Sequence, residues 1–196
     1  MARPREFDRE EALQRAMRVF WAKGYAGTST QDLLQAMSIG RQSMYATFGD
    51  KRKLYIEALR RYQQESARGH LDRLRSARSA LAGLESLLLG LIPADDDARA
   101  LGCMGVGSIG EFGTTDAELT ALRTQSGAMV FKALVERLRA AKTEGEIDSS
   151  LDAKGTARFL QMTMQGIRVA ARAGASVEEL RELALFAIDR LKSKAL

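Results

Sequence analysis

At 196 residues with 45% hydrophobic content, the chain is long enough for one ordinary domain or two small ones around a packed core. Its net charge of +5 is unevenly spread: residues 1–62 carry 12 of the 30 Lys and Arg but only 7 of the 25 Asp and Glu, and the remainder is balanced, so the first third alone either meets a polyanionic partner or carries a basic solvated surface. One cysteine, Cys103, and one histidine, His70, exclude an internal disulfide framework and a clustered Cys/His metal site, so neither metal nor cofactor is expected.

The chain is charged from Arg3 onward with no apolar leader-like run, and its longest apolar stretch, LESLLLGLI at 84–92, is too short to span a bilayer. A cytoplasmic protein without a membrane partner is expected. Apolar residues recur at intervals of three and four throughout, with no alternating strand-like run, which predicts an all-α fold.

In chain order, the first helix opens at Asp8, with Glu11 placed for a capping box, and carries the stripe Leu13, Ala16, Met17, Phe20 and Trp21. Gly24 ends it, and Thr28 or Ser29 caps a short second helix at about 30–36. MSIG breaks the pattern before a third short helix at about 41–47. FGD then leads into a long helix near Lys51, with Asp50 as its cap. Further helices are predicted at about 78–91, 101–112, 116–143, 153–173 and 176–192, with Pro93 and the run Asp95, Asp96, Asp97 read as a solvated loop, or less readily as carboxylates holding a hard cation loosely.

Two helices of about seven residues joined by a four-residue turn cannot bury their own faces, so they need the flanking helices as a platform. Leu33, Leu34, Met37, Ile39, Met44 and Phe48 fall on the inward side, leaving Gly40, Arg41, Gln42, Ser43, Ala46 and Thr47 outward. That short polar face suits a major groove, where Arg pairs with guanine, Gln with adenine, and Ala or Thr methyls with the thymine methyl. Lys51, Arg52 and Lys53 then crowd the positive end of a helix dipole, where cations are unfavourable in isolation. Either they point to solvent, or the helix start is a phosphate site whose strain is relieved by a duplex.

The stretch ALQRAMRVFWAKGYAGTSTQDLLQAMSIGRQSMYATFGDKRKLY resembles the TetR-type bacterial transcriptional regulators: a helix ending in Gly and an aromatic, a Thr/Ser-capped second helix, and a recognition helix ending in Tyr-x-x-Phe followed by Lys. Over residues 8–62 the likeness is in sequence, and beyond that in length and helical layout. It implies an all-α chain with a three-helix helix-turn-helix domain at 1–62, joined by a long helix to a helical bundle at 63–196 for ligand binding and dimerisation. It also implies that Arg41, Gln42, Ser43 and Thr47 face bases or sugar-phosphate, that Tyr45 and Lys51 meet phosphates, and that Thr28, Ser29 and Thr30 add another contact. Arg3 and Arg5 resemble the basic arm that some members lay along DNA. The lesser reading of Tyr45 is a core aromatic with a wet hydroxyl. Many members have Gly in the turn where this chain has Ser38, so a left-handed conformation there would cost ~1 kcal/mol, or the turn differs.

Two purposes are expected of the rest. One is homodimerisation: the apolar positions Phe159, Leu160, Met164, Ile167 and Val169, followed by Leu180, Leu183, Ala187, Ile188 and Leu191, span a width that can serve both an internal core and a partner, and a dimer would set two recognition helices on a pseudo-palindromic operator. The other is sensing. In GCMGVGSIGEFG the glycines 102, 105, 107, 110 and 113 make a helix of low intrinsic stability, each interior glycine costing ~1 kcal/mol relative to alanine. The segment is either a packing-dependent lever between effector pocket and DNA-binding unit or a site of close helix packing. Cys103, Met104, Phe112, Leu122, Met129, Phe159, Met162 and Met164 are the candidate pocket for a small apolar or aromatic effector, though Met at helical spacing also serves as plain core. Cys103 is a small hydrophobe, or a thiol or soft-metal sensor.

A ligand-released repressor is therefore the expected function. A nucleoid or recombination protein using the same motif without a ligand is the alternative. An enzyme is not expected, because no nucleophile and base form a recognisable pair.

Overall fold

The computed structural model describes residues 7–192 and is all-helical over them. Ten helices follow one another: α1 Arg9–Lys23, α2 Thr30–Met37, α3 Arg41–Phe48, α4 Lys51–Ser76, α5 Ala80–Leu89, α6 Asp96–Ala100, α7 Met104–Phe112, α8 Ala117–Thr143, α9 Ala153–Arg172 and α10 Val177–Asp189. Arg3 and Arg5 lie outside the described residues.

The caps explain most boundaries. Asp8 accepts from the backbone N–H of Glu10 and Glu11, satisfying donors that a helix start leaves open. The capping box expected there does not form: Glu11 turns along the helix to Arg15 at 2.5 Å. A reciprocal box forms instead at α2, between Ser29 and Asp32. Asp50 caps α4 and Asp116 caps α8. The acidic segment read as a loop contains α6, because Asp95 accepts from the Ala98 N–H and Arg99 pairs with Asp96 at 2.7 Å.

Two hydrophobic cores lie along α4. In the first, Leu13, Met17 and Phe20 of α1 meet Leu33, Met44, Phe48, Leu54 and Leu59, and Met104 and Leu119 join from α7 and α8. The second gathers Leu74, Leu84, Leu88, Leu134, Leu138, Leu160 and Ile188. Since α4 runs unbroken through residue 62, the same helix is wall to both.

Between α2 and α3 the chain turns at Ser38, whose φ of 56° and ψ of 42° are left-handed. Its hydroxyl accepts from Arg15 Nη1 at 3.2 Å, a local compensation for a conformation that glycine would adopt freely. Ser38→Gly is expected to raise unfolding stability by about 0.5–1 kcal/mol, read from the urea midpoint at unchanged slope.

Candidate nucleic-acid interface

The inward positions of α2 and α3 decide what remains outside. Leu33, Met37, Met44 and Phe48 are buried, leaving Arg41, Gln42, Tyr45 and Ala46 exposed, with Ser43 and Thr47 half-buried beside them. The α3 start is open: Gly40 is its N-cap, no side chain hydrogen-bonds its first amides, and no acidic residue lies in its first turn. Its free N–H groups and the dipole are therefore available to an anion. Ser29 and Thr30 stand at or near the surface at the α2 start, but Thr28 does not, because its buried hydroxyl donates to the Gly24 carbonyl.

The cationic start of α4 is less strained than the sequence suggests. Lys51 Nζ sits 4.3 Å from the centroid of the Tyr25 ring. Arg52 does not wait for a phosphate: it pairs with Asp116 at 2.8 Å and Glu118 at 3.1 Å, both at the start of α8. Hydrogen bonding from Arg52 also holds the Asp116 carboxyl below its usual range. Lys53 is exposed and makes no ion pair with a described residue.

Behind this edge, the bundle grips the helix-turn-helix through α7. Tyr25, which carries Lys51, packs 5.1 Å from Tyr55 and 5.4 Å from Phe112 of α7. Glu111 accepts from the backbone N–H of Tyr25 at 2.8 Å and of Ala26 at 2.9 Å. Gly24 permits that approach: its φ is +72°, and a Cβ there would lie 2.8 Å from Glu111 Oε1. At the other end of the segment, Trp21 Nε1 and Arg172 Nη1 both donate to the Leu101 carbonyl. Gly105, Val106 and Ile109, on the side of α7 away from Glu111, border a cavity of about 170 Å³ between α4, α7, α8 and α9. Close packing does not account for all the α7 glycines, since a Cβ on Gly107 or Gly110 would meet nothing within 4 Å.

The pocket residues expected from sequence are not gathered at one place. Cys103 and Met164 line this cavity. Leu122 and Met129 border a separate groove between α4 and α8, Met104 lines a crevice with Trp21 and Tyr55, and Phe112 belongs to the Tyr25 cluster. Phe159 and Met162 point away from the cavity, because α9 turns Leu160, Met164 and Ile167 inward and its opposite face out. Missed from sequence were Gln63 and His70, both on the wall. Their signal is legible in retrospect: they are polar interruptions at helical spacing in the inward stripe Leu59, Gln63, Ala67, His70, Leu74. Burial, then Arg168 and Arg73, pushes the His70 imidazole down to about 4, so it is neutral at pH 7.

On the outer face of α9 and α10, Phe159, Met162, Val169, Leu183, Leu185 and Phe186 are exposed, Met162 at 60% and Phe186 at 58%. An apolar face of this kind is unusual on a monomer surface. Among the described residues no group of three or more His, Cys, Asp or Glu is placed to hold a metal ion, and no helix is long and apolar enough to cross a membrane.

Residues 12–58 match the family described as bacterial regulatory proteins, tetR family. The HTH-type transcriptional repressor ComR of Escherichia coli K12 is 31% identical over 186 residues, covering 93% of this chain and 88% of ComR. The transcriptional regulator YezE of Bacillus subtilis 168 is 31% identical over 184 residues, covering 93% and 95%. Among solved structures, a cysteine-substituted form of the regulator CifR, complexed with a 26-base-pair operator duplex, superimposes with a TM-score of 0.79 at 32% identity, over 97% of this chain and 100% of that one.

Two expectations follow from this geometry. Tyr25→Leu is expected to weaken duplex binding and lower the magnitude of the log K against log salt slope by about one, as loss of one ordered phosphate contact would, whereas Tyr25→Phe retains both values. Gly107→Ala and Gly110→Ala are each expected to stabilise the protein by about 0.5–1 kcal/mol in urea unfolding, since the added methyl meets open space.

Proposed function

The chain belongs to the TetR family of bacterial regulatory proteins and is a DNA-binding transcriptional regulator, and we propose that it acts as a homodimeric cytoplasmic repressor released from a pseudo-palindromic operator by a small molecule. In this reading residues 1–62 bind DNA, and 63–196 bind the effector and the second subunit. Arg41, Gln42, Ser43 and Thr47 meet base edges or sugar, with Gly40 at the open helix start. Tyr45, Lys51, Ser29 and Thr30 meet phosphates, and Arg3 and Arg5 extend the contact as an arm. The observation that carries the reading is the exposed polar face of α3, with an uncapped N-terminus and the ring-supported Lys51 beside it. The CifR relative, bound to its operator duplex, supports the same docking here.

Dimerisation is supported by the apolar outer face of α9 and α10, which a second copy would cover in a four-helix interface. Effector response is supported by the cavity beside α7, since Glu111 on the other side of that helix holds the Tyr25 turn. The effector class that the sequence supports is small and apolar or aromatic.

Selection of bound duplexes from a random pool tests the reading. It is expected to return an inverted repeat with half-sites about one helical turn apart. On that sequence Arg41→Ala is expected to cost ~1–3 kcal/mol and relax the preference at one base pair, while Lys51→Ala weakens all sequences alike. A pool without sequence preference would favour the nucleoid-type alternative, and a single asymmetric site would remove the dimer.

A further inference from the structure

The polar groups on the wall of the cavity between α4, α7, α8 and α9 differ in what they can still offer a ligand. His70 Nδ1 has no partner but is sealed from solvent. The Ser66 hydroxyl lies 3.1 Å from His70 Nε2, and Gln161 donates to the Gly127 carbonyl at 2.8 Å. Gln63 is the exception. It sits on the inward stripe of α4 and is only 9% exposed. Neither of its amide atoms has a hydrogen-bond partner among the described residues, yet, unlike His70 Nδ1, neither is sealed from solvent. Its Nε2 stands 3.9 Å from where a Cβ on Gly105 would lie, which sets the amide at the α7 wall of the cavity. A carboxamide this buried normally has its partners, so an unpaired and reachable one holds a donor and an acceptor side by side for whatever enters. That pair is the same whichever way round the amide is turned.

The complement of a carboxamide edge is another group with donor and acceptor adjacent: a primary amide, or the cis amide of a lactam. Glutamine pairs with the adenine edge by the same two contacts. Charge narrows the class further. No carboxylate lines the cavity, and its one guanidinium, on Arg123, is already directed to the Gly113 carbonyl and the hydroxyls of Thr120 and Ser108. A charged ligand would be desolvated there without an unengaged opposite charge. Val106, Ile109, Val130 and Met164 supply the apolar surface of the same cavity. Resting on the effector reading above, we propose that this cavity takes a neutral amide or lactam with an apolar body, its donor and acceptor paired with the Gln63 carboxamide and its body on Val106, Ile109, Val130 and Met164. A ligand seated there bears on the side of α7 away from Glu111, which holds the Tyr25 and Ala26 N–H groups.

Benzamide, acetophenone and benzoate are probes of one size that offer Gln63 a donor and acceptor together, an acceptor alone, and a charged acceptor. With the full-length protein, benzamide is expected to bind about tenfold more tightly than acetophenone, the difference one further neutral hydrogen bond makes, and benzoate least tightly of the three. Gln63→Leu, which continues the apolar stripe of Leu59, Ala67 and Leu74, is expected to bring benzamide down to the level of acetophenone. A second measurement needs no variant: nuclear Overhauser effects are expected between the benzamide ring and the methyl groups of Val130 and Met164. Acetophenone or benzoate binding as tightly as benzamide, saturation by none of the three, a benzamide advantage that survives Gln63→Leu, or bound benzamide without those Overhauser effects overturns the proposal. DNA release is measured separately: benzamide seated at Gln63 that leaves the selected operator occupied would sink the effector reading while the ligand class stands. Release by a compound that binds Gln63→Leu as tightly as the unaltered chain would do the reverse.

Discussion

Everything in this molecule is hung on α4. Its 26 residues present one inward face to two successive cores, Leu54 and Leu59 in the first and Ala67 and Leu74 in the second. A helix of that length is ~39 Å of continuous backbone hydrogen bonding, far stiffer than a loop connection. The two cores therefore share a wall, and the placement of α4's first turn against the α1–α2 corner is inseparable from its packing against α8. Met104 and Leu119 strengthen this dependence, because they are bundle residues buried in the helix-turn-helix core.

The charges at the α4 start show how competing small terms settle. A cation at a helix N-terminus is unfavourable by about 0.3–1 kcal/mol, and a cation over an aromatic face recovers about 0.5–1 kcal/mol. For Lys51 these nearly cancel, so its position over Tyr25 is tolerated in the free protein without help from a ligand. Arg52 escapes the problem differently, by joining the carboxylates that open α8. One of those carboxylates, Asp116, also caps α8, so the same group organises one helix start and neutralises another. The Tyr25 ring has a comparable double role, supporting Lys51 on one side and meeting Phe112 of α7 on the other.

Helix α7 gives this arrangement a direction. It is built from residues with little intrinsic preference for a helix, and Gly107 and Gly110 have no close neighbour to justify them. What keeps it in place is tertiary: Glu111 on the backbone of the Tyr25 turn, Phe112 among the aromatics, and Arg168 and Arg172 donating to Gly102 and Leu101 just before it. An element held by its surroundings rather than by its own propensity responds to whatever fills the space beside it.

From sequence alone the all-α class, the limits of the first three helices and the start of the fourth within a residue or two, and the outward face of α3 could be read, because period and capping are local properties. Asp50, Ser29 and Met44 occupy the roles their spacing implies. The cavity was not legible in the same way. Apolar side-chain type marks Phe159 and Met162 as pocket candidates as well, yet which side of α9 faces α4 depends on helices separated by about a hundred residues. Likewise the partner of Arg52 and the ring beneath Lys51 are decided by how α8 and the α1–α2 corner meet α4, contacts that no window of neighbouring residues contains. Local order was thus written in the chain, while the electrostatic state of the α3–α4 edge and the cavity beside α7 were decided only when distant helices packed.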